Sequence, residues 1–232
     1  MEAIRYVKQY GYYRCGTNYT ACLLEKNFRG LRVITNGLGC KHDPPVDWER
    51  WLRDNERLPA HDRKNVPADL QGDVEANRVP VVVTVKHPLA WLASFLRYWR
   101  RRKRRSEAIT PSFVRERCRT YSHHVAAWLA MERPVVTVRW EDIAVDPTDW
   151  LRWLQETWEL KAANDFPAMI NTRVDPHEHI RSDPFDPAYY LDGHYLNELS
   201  DEHRGIAQEA IDWTLFTNFD YHPEPTCVSS SA

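Results

Sequence analysis

Net charge is almost missing from this chain: 31 Lys and Arg stand against 33 Asp and Glu, a formal balance of −2. No global basic field argues for a nucleic-acid or membrane partner. No apolar run approaches the roughly 20 residues that a bilayer crossing needs. Met1 leads straight into a strand-like pattern without the apolar h-region of a secretory signal. The five cysteines, Cys15, Cys22, Cys40, Cys118 and Cys227, are odd in number and lack framework spacing. That suits a reducing compartment, and a cytoplasmic protein is expected. Cys40-x-His42, His123-His124 and His177-x-His179 are ligand-type pairs, but no four-ligand set has finger-like spacing, so no metal is expected.

What is present is core-forming. With 43% hydrophobic residues, ten Trp and eleven Tyr, a chain of 232 residues is not disordered and can bury a substantial core. One domain over 1–222 is expected, with a loose tail at 223–232.

The most informative stretch is Ile4 to Glu25, IRYVKQYGYYRCGTNYTACLLE, which reads as strand, turn and helix. Gly11 and Gly16 have the G-x-x-x-x-G spacing of a phosphate-cradling loop, in which glycine frees the backbone to turn successive N–H groups inward. An anion held there also sits at a helix N-terminus, where unpaired N–H groups and the macrodipole favour negative charge. A nucleotide-hydrolysing loop continues with Lys and then Ser or Thr; here Thr17 and Asn18 follow, and the loop's only cation is Arg14. The cradle is kept without the apparatus of metal-assisted phosphoryl transfer.

A second such unit is PVVVTVKHPLAWLASFLRYW, residues 80–99. The β-branched run Val81 to Val85 reads as a buried strand, and Pro88 opens a helix. Leu89, Leu92, Phe95, Leu96 and Trp99 share one side of that helix while Ser94 points away from them. The two readings of Lys86 and Ser94 are a ligand grip and, more plainly, a snorkelling lysine with a solvated serine.

These residues resemble the sulfotransferases that use 3′-phosphoadenosine 5′-phosphosulfate (PAPS). Arg14-Cys15-Gly16-Thr17-Asn18-Tyr19 is similar to that family's phosphosulfate loop, Lys/Arg-Ser-Gly-Thr-Thr/Ser-aromatic. Lys86-His87-Pro88 with Ser94 eight residues after the lysine resembles its Arg-Asp-Pro strand end with a serine at the same spacing. The block VRWEDIAVDP and the late Asn218-Phe219-Asp220-Tyr221 resemble further elements of it. The resemblance implies a P-loop-type three-layer α/β fold with a central parallel sheet flanked by helices. It also implies metal-independent transfer of a sulfonate from PAPS to the hydroxyl or amine of a small-molecule acceptor. Arg14, Cys15, Gly16, Thr17 and Asn18 would hold the phosphosulfate, Tyr19 would pack on adenine, and Lys86 and Ser94 would grip the 3′-phosphate. Lysine lacks arginine's planar fork, and Cys15 replaces a serine hydroxyl with a thiol open to oxidation.

Past the second strand, Leu31 to Thr35, lie Lys41 and His42. Histidine's pKa near neutrality suits a base on an attacking hydroxyl, and the resemblance places the lysine on the sulfonate. The plainer reading is a loop histidine, and Glu25 is the reserve base. Residues 46–79, rich in Pro, Asp, Asn and Lys after a short charged helix, read as a lid on the acceptor side. Arg97 to Arg105 carries seven cations in nine positions; it reads as a solvated capping face, as a lure for an anionic donor, or as a nucleic-acid contact. Residues 164–187 read as irregular; the family's late Arg-Lys-Gly is missing, leaving Arg173 or Arg181 as candidate substitutes. The alternatives to the transferase are a P-loop kinase of nucleotides or small molecules, and a noncatalytic anion- or RNA-binding module built on Arg97 to Arg105.

Overall fold

The computed structural model describes residues 4–57, 67–102, 109–170, 172–174, 180–184 and 186–223. Four strands form an all-parallel sheet: β1 (Tyr6–Tyr10), β2 (Arg32–Ile34), β3 (Val81–Val85) and β4 (Val135–Arg139), in the order β2-β1-β3-β4. β1 and β3 are central and buried at every residue. A parallel strand covered on both faces reads as a continuous apolar run, which is why VVVTV was legible as β3.

Helices cover both faces. Along β3, Val81, Val83 and Val85 join one core and Val82 the other; along β1, Tyr6 and Tyr10 join the first and Val7 the second. The first core takes residues of α2 (Trp48–Arg57), α3 (Leu70–Glu75), α4 (Pro88–Arg102) and α5 (Pro111–Leu129). The second takes α1 (Thr17–Asn27), α6 (Trp140–Val145) and α7 (Thr148–Thr157). This is a three-layer α/β arrangement. No helix among the described residues is long and apolar enough to cross a membrane.

Local chemistry sets the ends of these elements. Thr110 accepts from the Phe113 N–H at 3.2 Å with Pro111 in the first turn of α5, as that sequence order demands. Beyond α7 come a hairpin, β5 (Thr172–Val174) with β6 (Ile180–Pro184), then α8 (Ala188–Leu191), a 3-10 turn at His194–Glu198, α9 (Asp201–Ala210) and α10 (Trp213–Phe216).

Two expectations change. Residues 164–187, read as irregular, contain the antiparallel β5–β6 hairpin. The helix that Ser200 opens, with Ile206, Ala210 and Ile211 on one face, is expected from the sequence to run to about Thr217, but it breaks at Ile211, whose backbone is extended (ψ 135°) while the Asp212 N–H donates to Ser122 Oγ at 3.0 Å. In the described parts of 46–79, Trp48, Leu52, Leu70 and Val74 are buried in the first core. Asp73 ties α3 down further by pairing with Arg5 and Arg78. Residues 58–66 of that segment, the tail from 224, and 103–105 of the basic run lie outside the described residues.

Candidate anion-binding active site

In the order β2-β1-β3-β4 the chain leaves β1 toward one edge and β3 toward the other. The crevice between their carboxyl ends is the topological switch point, where open α/β sheets bind ligands. Gly11 follows β1, Lys86 follows β3, and residues 35–43 follow β2, so the sequence-predicted motifs converge there.

The turn needs both glycines, for different reasons. Gly16 has φ +86°, and a Cβ there would lie 2.0 Å from the Trp140 ring. Gly11 has no such φ, but its Cβ would meet Thr17 Cγ2 at 2.6 Å and the Thr84 carbonyl at 2.9 Å. One glycine therefore serves the turn and the other serves close approach. Gly16 is also the N-cap of α1 and supplies no capping side chain, the kind of helix start that suits an anion. Trp91 Nε1 holds the turn by donating to the Tyr13 carbonyl at 2.9 Å.

Lys41 and His42 come to this turn. Lys41 Nζ donates to Asn18 Oδ1 at the start of α1, and burial lowers its pKa. The Gly11 N–H donates to the Lys41 carbonyl at 3.0 Å. His42 Nδ1 lies 2.7 Å from the Gly11 carbonyl; a carbonyl only accepts, so Nδ1 carries the proton. Burial pulls His42 down to about 4, with the Gly11 carbonyl opposing. At neutral pH the ring is therefore neutral with its lone pair on Nε2, the tautomer a base requires. Tyr13 stacks on it at 4.3 Å. From α5, His124 Nδ1 donates to the His42 carbonyl at 3.1 Å and Trp128 Nε1 to the Asp43 carbonyl at 2.9 Å, fixing the loop.

Lys86 and Ser94 also meet. Lys86 is 2% exposed, its Nζ 4.9 Å from the Trp140 ring centroid and 4.5 Å from that of Tyr190. Nζ donates to the Tyr190 hydroxyl at 3.4 Å. Ser94 is 5% exposed, and its Oγ stands beside Tyr190 without a hydrogen bond of normal geometry. Burial raises Tyr190, but the charge and hydrogen bond of Lys86, then Ser94 and Arg97, outweigh it and leave the phenol below its usual value. Such surroundings favour negative charge at the place the Tyr190 oxygen occupies.

Tyr190 also links the two halves. Arg14, exposed and 5.1 Å from the Tyr98 ring centroid, lies within electrostatic reach of Tyr190, Arg97 and Arg101. Arg97 in turn pairs with Glu198 at 2.9 Å and donates to the Tyr189 hydroxyl at 3.1 Å. Trp140 spans the same gap, touching the Gly16 position and Lys86. The sequence reading missed Tyr190 and Trp140; the aromatic after the VVTVR strand and the Tyr-Tyr pair were their only signals.

Several expected residues go elsewhere. Tyr19 is buried, edge-on to Trp140 at 5.2 Å, and donates to the Ile143 carbonyl at 3.3 Å. It belongs to helix–sheet packing, not to an open surface for a base. Glu25 is exposed and accepts from the Val33 N–H at 2.9 Å. Eight residues of helix carry it about 12 Å from Thr17, so it is not a reserve base. Cys15 is fully buried, donates to the Tyr121 hydroxyl at 3.6 Å, and burial raises its thiol to about 12. That removes the expected liability to oxidation, which needs an accessible thiolate. The side chains of Arg173 and Arg181 lie outside the described residues. Among the described residues, no group of three His, Cys, Asp or Glu could hold a metal ion.

No family model matches the chain, and no curated protein matches it in sequence.

Proposed function

We propose that the protein is a P-loop-type sulfotransferase that moves the sulfonate of PAPS to a hydroxyl or amine of a small-molecule acceptor. The observation that supports this most is that Trp140 borders both the Gly16 turn at the start of α1 and the buried Lys86, which shares Tyr190 with Ser94. A donor with anionic groups at both ends of one nucleoside would engage both.

Each group then has a task. Backbone N–H groups of the Gly11–Gly16 turn and the first turn of α1 stabilise charge on the leaving phosphate oxygen. Lys41, already at Asn18, neutralises the sulfonate oxygens. His42 Nε2 accepts the acceptor's proton as the new S–O bond forms. Lys86 and Ser94 take the 3′-phosphate once Tyr190 yields its place.

The test is thermal unfolding with adenosine 3′,5′-bisphosphate, with AMP, and with ATP plus magnesium. A ligand at 100 times its dissociation constant adds about 2.7 kcal/mol. The bisphosphate alone should shift the transition, unaffected by a chelator, and the shift should shrink in Lys86→Ala. Equal shifts with AMP would remove the 3′-phosphate assignment; a shift only with ATP and magnesium would favour a kinase.

A further inference from the structure

Lys8, in the middle of β1, is a residue no motif explained. It faces the first core between Tyr6 and Tyr10 and is 0% exposed. Its Nζ donates to three carbonyls, Thr35 at 3.2 Å, Gly37 at 2.7 Å and Gly39 at 2.8 Å, with the Tyr10 ring centroid 4.6 Å away. Alternate carbonyls of one loop thus converge on one nitrogen. Only the ammonium form has three N–H bonds to match them. The loop bends unusually to do this: Leu38, itself fully buried, has φ +56° and Gly39 φ +88°. The Tyr10 hydroxyl donates to the intervening Leu38 carbonyl at 3.1 Å. The next residues along the chain are Cys40, Lys41 and His42.

We infer that Lys8 is a positioning residue: its ammonium is a built-in cation around which residues 35–39 wrap, and this wrapping sets Lys41 on Asn18 and His42 on the Gly11 carbonyl. A lysine in a core is costly unless its donors are satisfied. An apolar residue of the same length would fill the space but leave three carbonyls turned inward without partners, and the loop would rearrange to solvate them. Burial lowers Lys8 to about 7, with Cys40 and Asp43 raising it and Lys41 lowering it further. Those charges sit on the very loop it holds. The part these residues play in catalysis rests on the sulfotransferase reading; the wrapping itself does not.

The experiment follows the His42 ring by NMR titration in the parent protein, in Lys8→Met, and in Lys8→Ala alone and with ethylammonium chloride, a replacement cation that fits the space the alanine leaves. Release of the loop frees His42 from its buried place, so its midpoint should rise by about one pH unit or more in Lys8→Met and Lys8→Ala. In Lys8→Ala added ethylammonium should bring it back. Loss of the Lys8 charge alone would raise His42 only slightly, because that charge is the smallest of the influences on it. A rise below about half a pH unit, or one in Lys8→Ala that ethylammonium does not reverse, overturns the inference. Lys8→Gln, which keeps two donors, should fall between parent and Met. If none of these variants folds, even Lys8→Ala with ethylammonium, Lys8 serves folding alone and the inference fails. A parent protein that does not bind the bisphosphate defeats the proposed function, yet the His42 titration still decides the role of Lys8.

Discussion

Replacing Gly16 with alanine should cost more than the same change at Gly30, and the difference measures how tightly the turn is built against Trp140. Both glycines have left-handed backbones, φ +86° and φ +76°. Any L-residue there meets a conformational penalty of about 1–2 kcal/mol, so that part is common to both. Their surroundings differ. A Cβ at Gly30 meets nothing within 4 Å, whereas at Gly16 it would sit 2.0 Å from Trp140 Cε3 and 2.3 Å from Cζ3. An indole is rigid, and this one is wedged against Tyr19, Lys86 and Tyr190. Overpacking of this kind costs about 1–3 kcal/mol. Gly30→Ala is therefore expected to lose about 1–2 kcal/mol, and Gly16→Ala about 2–5 kcal/mol. Urea titrations of both variants read the difference, and the double variant Gly16→Ala/Trp140→Leu, compared with Trp140→Leu alone, should recover most of the excess. Equal losses at the two glycines, or no recovery when the indole is removed, would refute the packing argument.

Acid should destabilise the fold through two histidines. Burial lowers both His42 and His87 to about 4. Unfolded, both titrate near 6.5, so the stability they contribute is complete above that value and is lost as pH falls toward 4. At about 1.4 kcal/mol per pH unit the ceiling is about 3 kcal/mol for each. Urea midpoints between about pH 7 and pH 4.5 should fall, and more shallowly in His87→Gln; a flat profile would count against both assignments. Native-state labelling with a thiol reagent should modify Cys40 before Cys15 and Cys118, since the latter two are fully buried and held near 12; early labelling of Cys15 would mean the turn opens freely. Thr110→Ala should cost about 1 kcal/mol through loss of the α5 cap, with Thr110→Ser nearly neutral.

Much of the scaffold could be read from local patterns. Val81 to Val85 announced β3 because a doubly covered strand is apolar along most of its length, and helix starts at Thr110-Pro111 and Ser200 follow from residue types that cap, their oxygens accepting from Phe113 and His203. That the Gly11–Gly16 turn, the loop carrying Lys41 and Lys86 share one side of the sheet was legible because each comes after a β-strand-like run, and strand ends of a parallel sheet share one side. Other features are properties of the folded chain alone. Tyr190 meets Lys86 from 104 residues away, and no periodicity foretells such a contact. Lys8 had no reading from the sequence because its partners are backbone carbonyls, which have no letter in a sequence. Tyr19 misled in the opposite sense: an aromatic beside a ligand turn looks the same in sequence as one turned under the helix.

The distribution of cations bears on the choice between donors. A contiguous triphosphate concentrates its charge at the helix start, and a hydrolysing loop answers with a lysine directly after the second glycine and a hydroxyl for magnesium. Here Thr17 follows Gly16, and the nearest lysine arrives from another strand's loop to reach Asn18. Lys86, a further buried cation, borders Trp140, and its Nζ has the Tyr190 hydroxyl as its only close polar contact among the described residues, with Ser94 Oγ beside the same phenol but without a hydrogen bond of normal geometry. A triphosphate at the turn would leave that second pair idle, although burying a lysine and a serine without full partners is costly. On the proposed reading, a second anion on the donor would satisfy both, and Tyr190, whose phenol Lys86 polarises, would be the group it displaces.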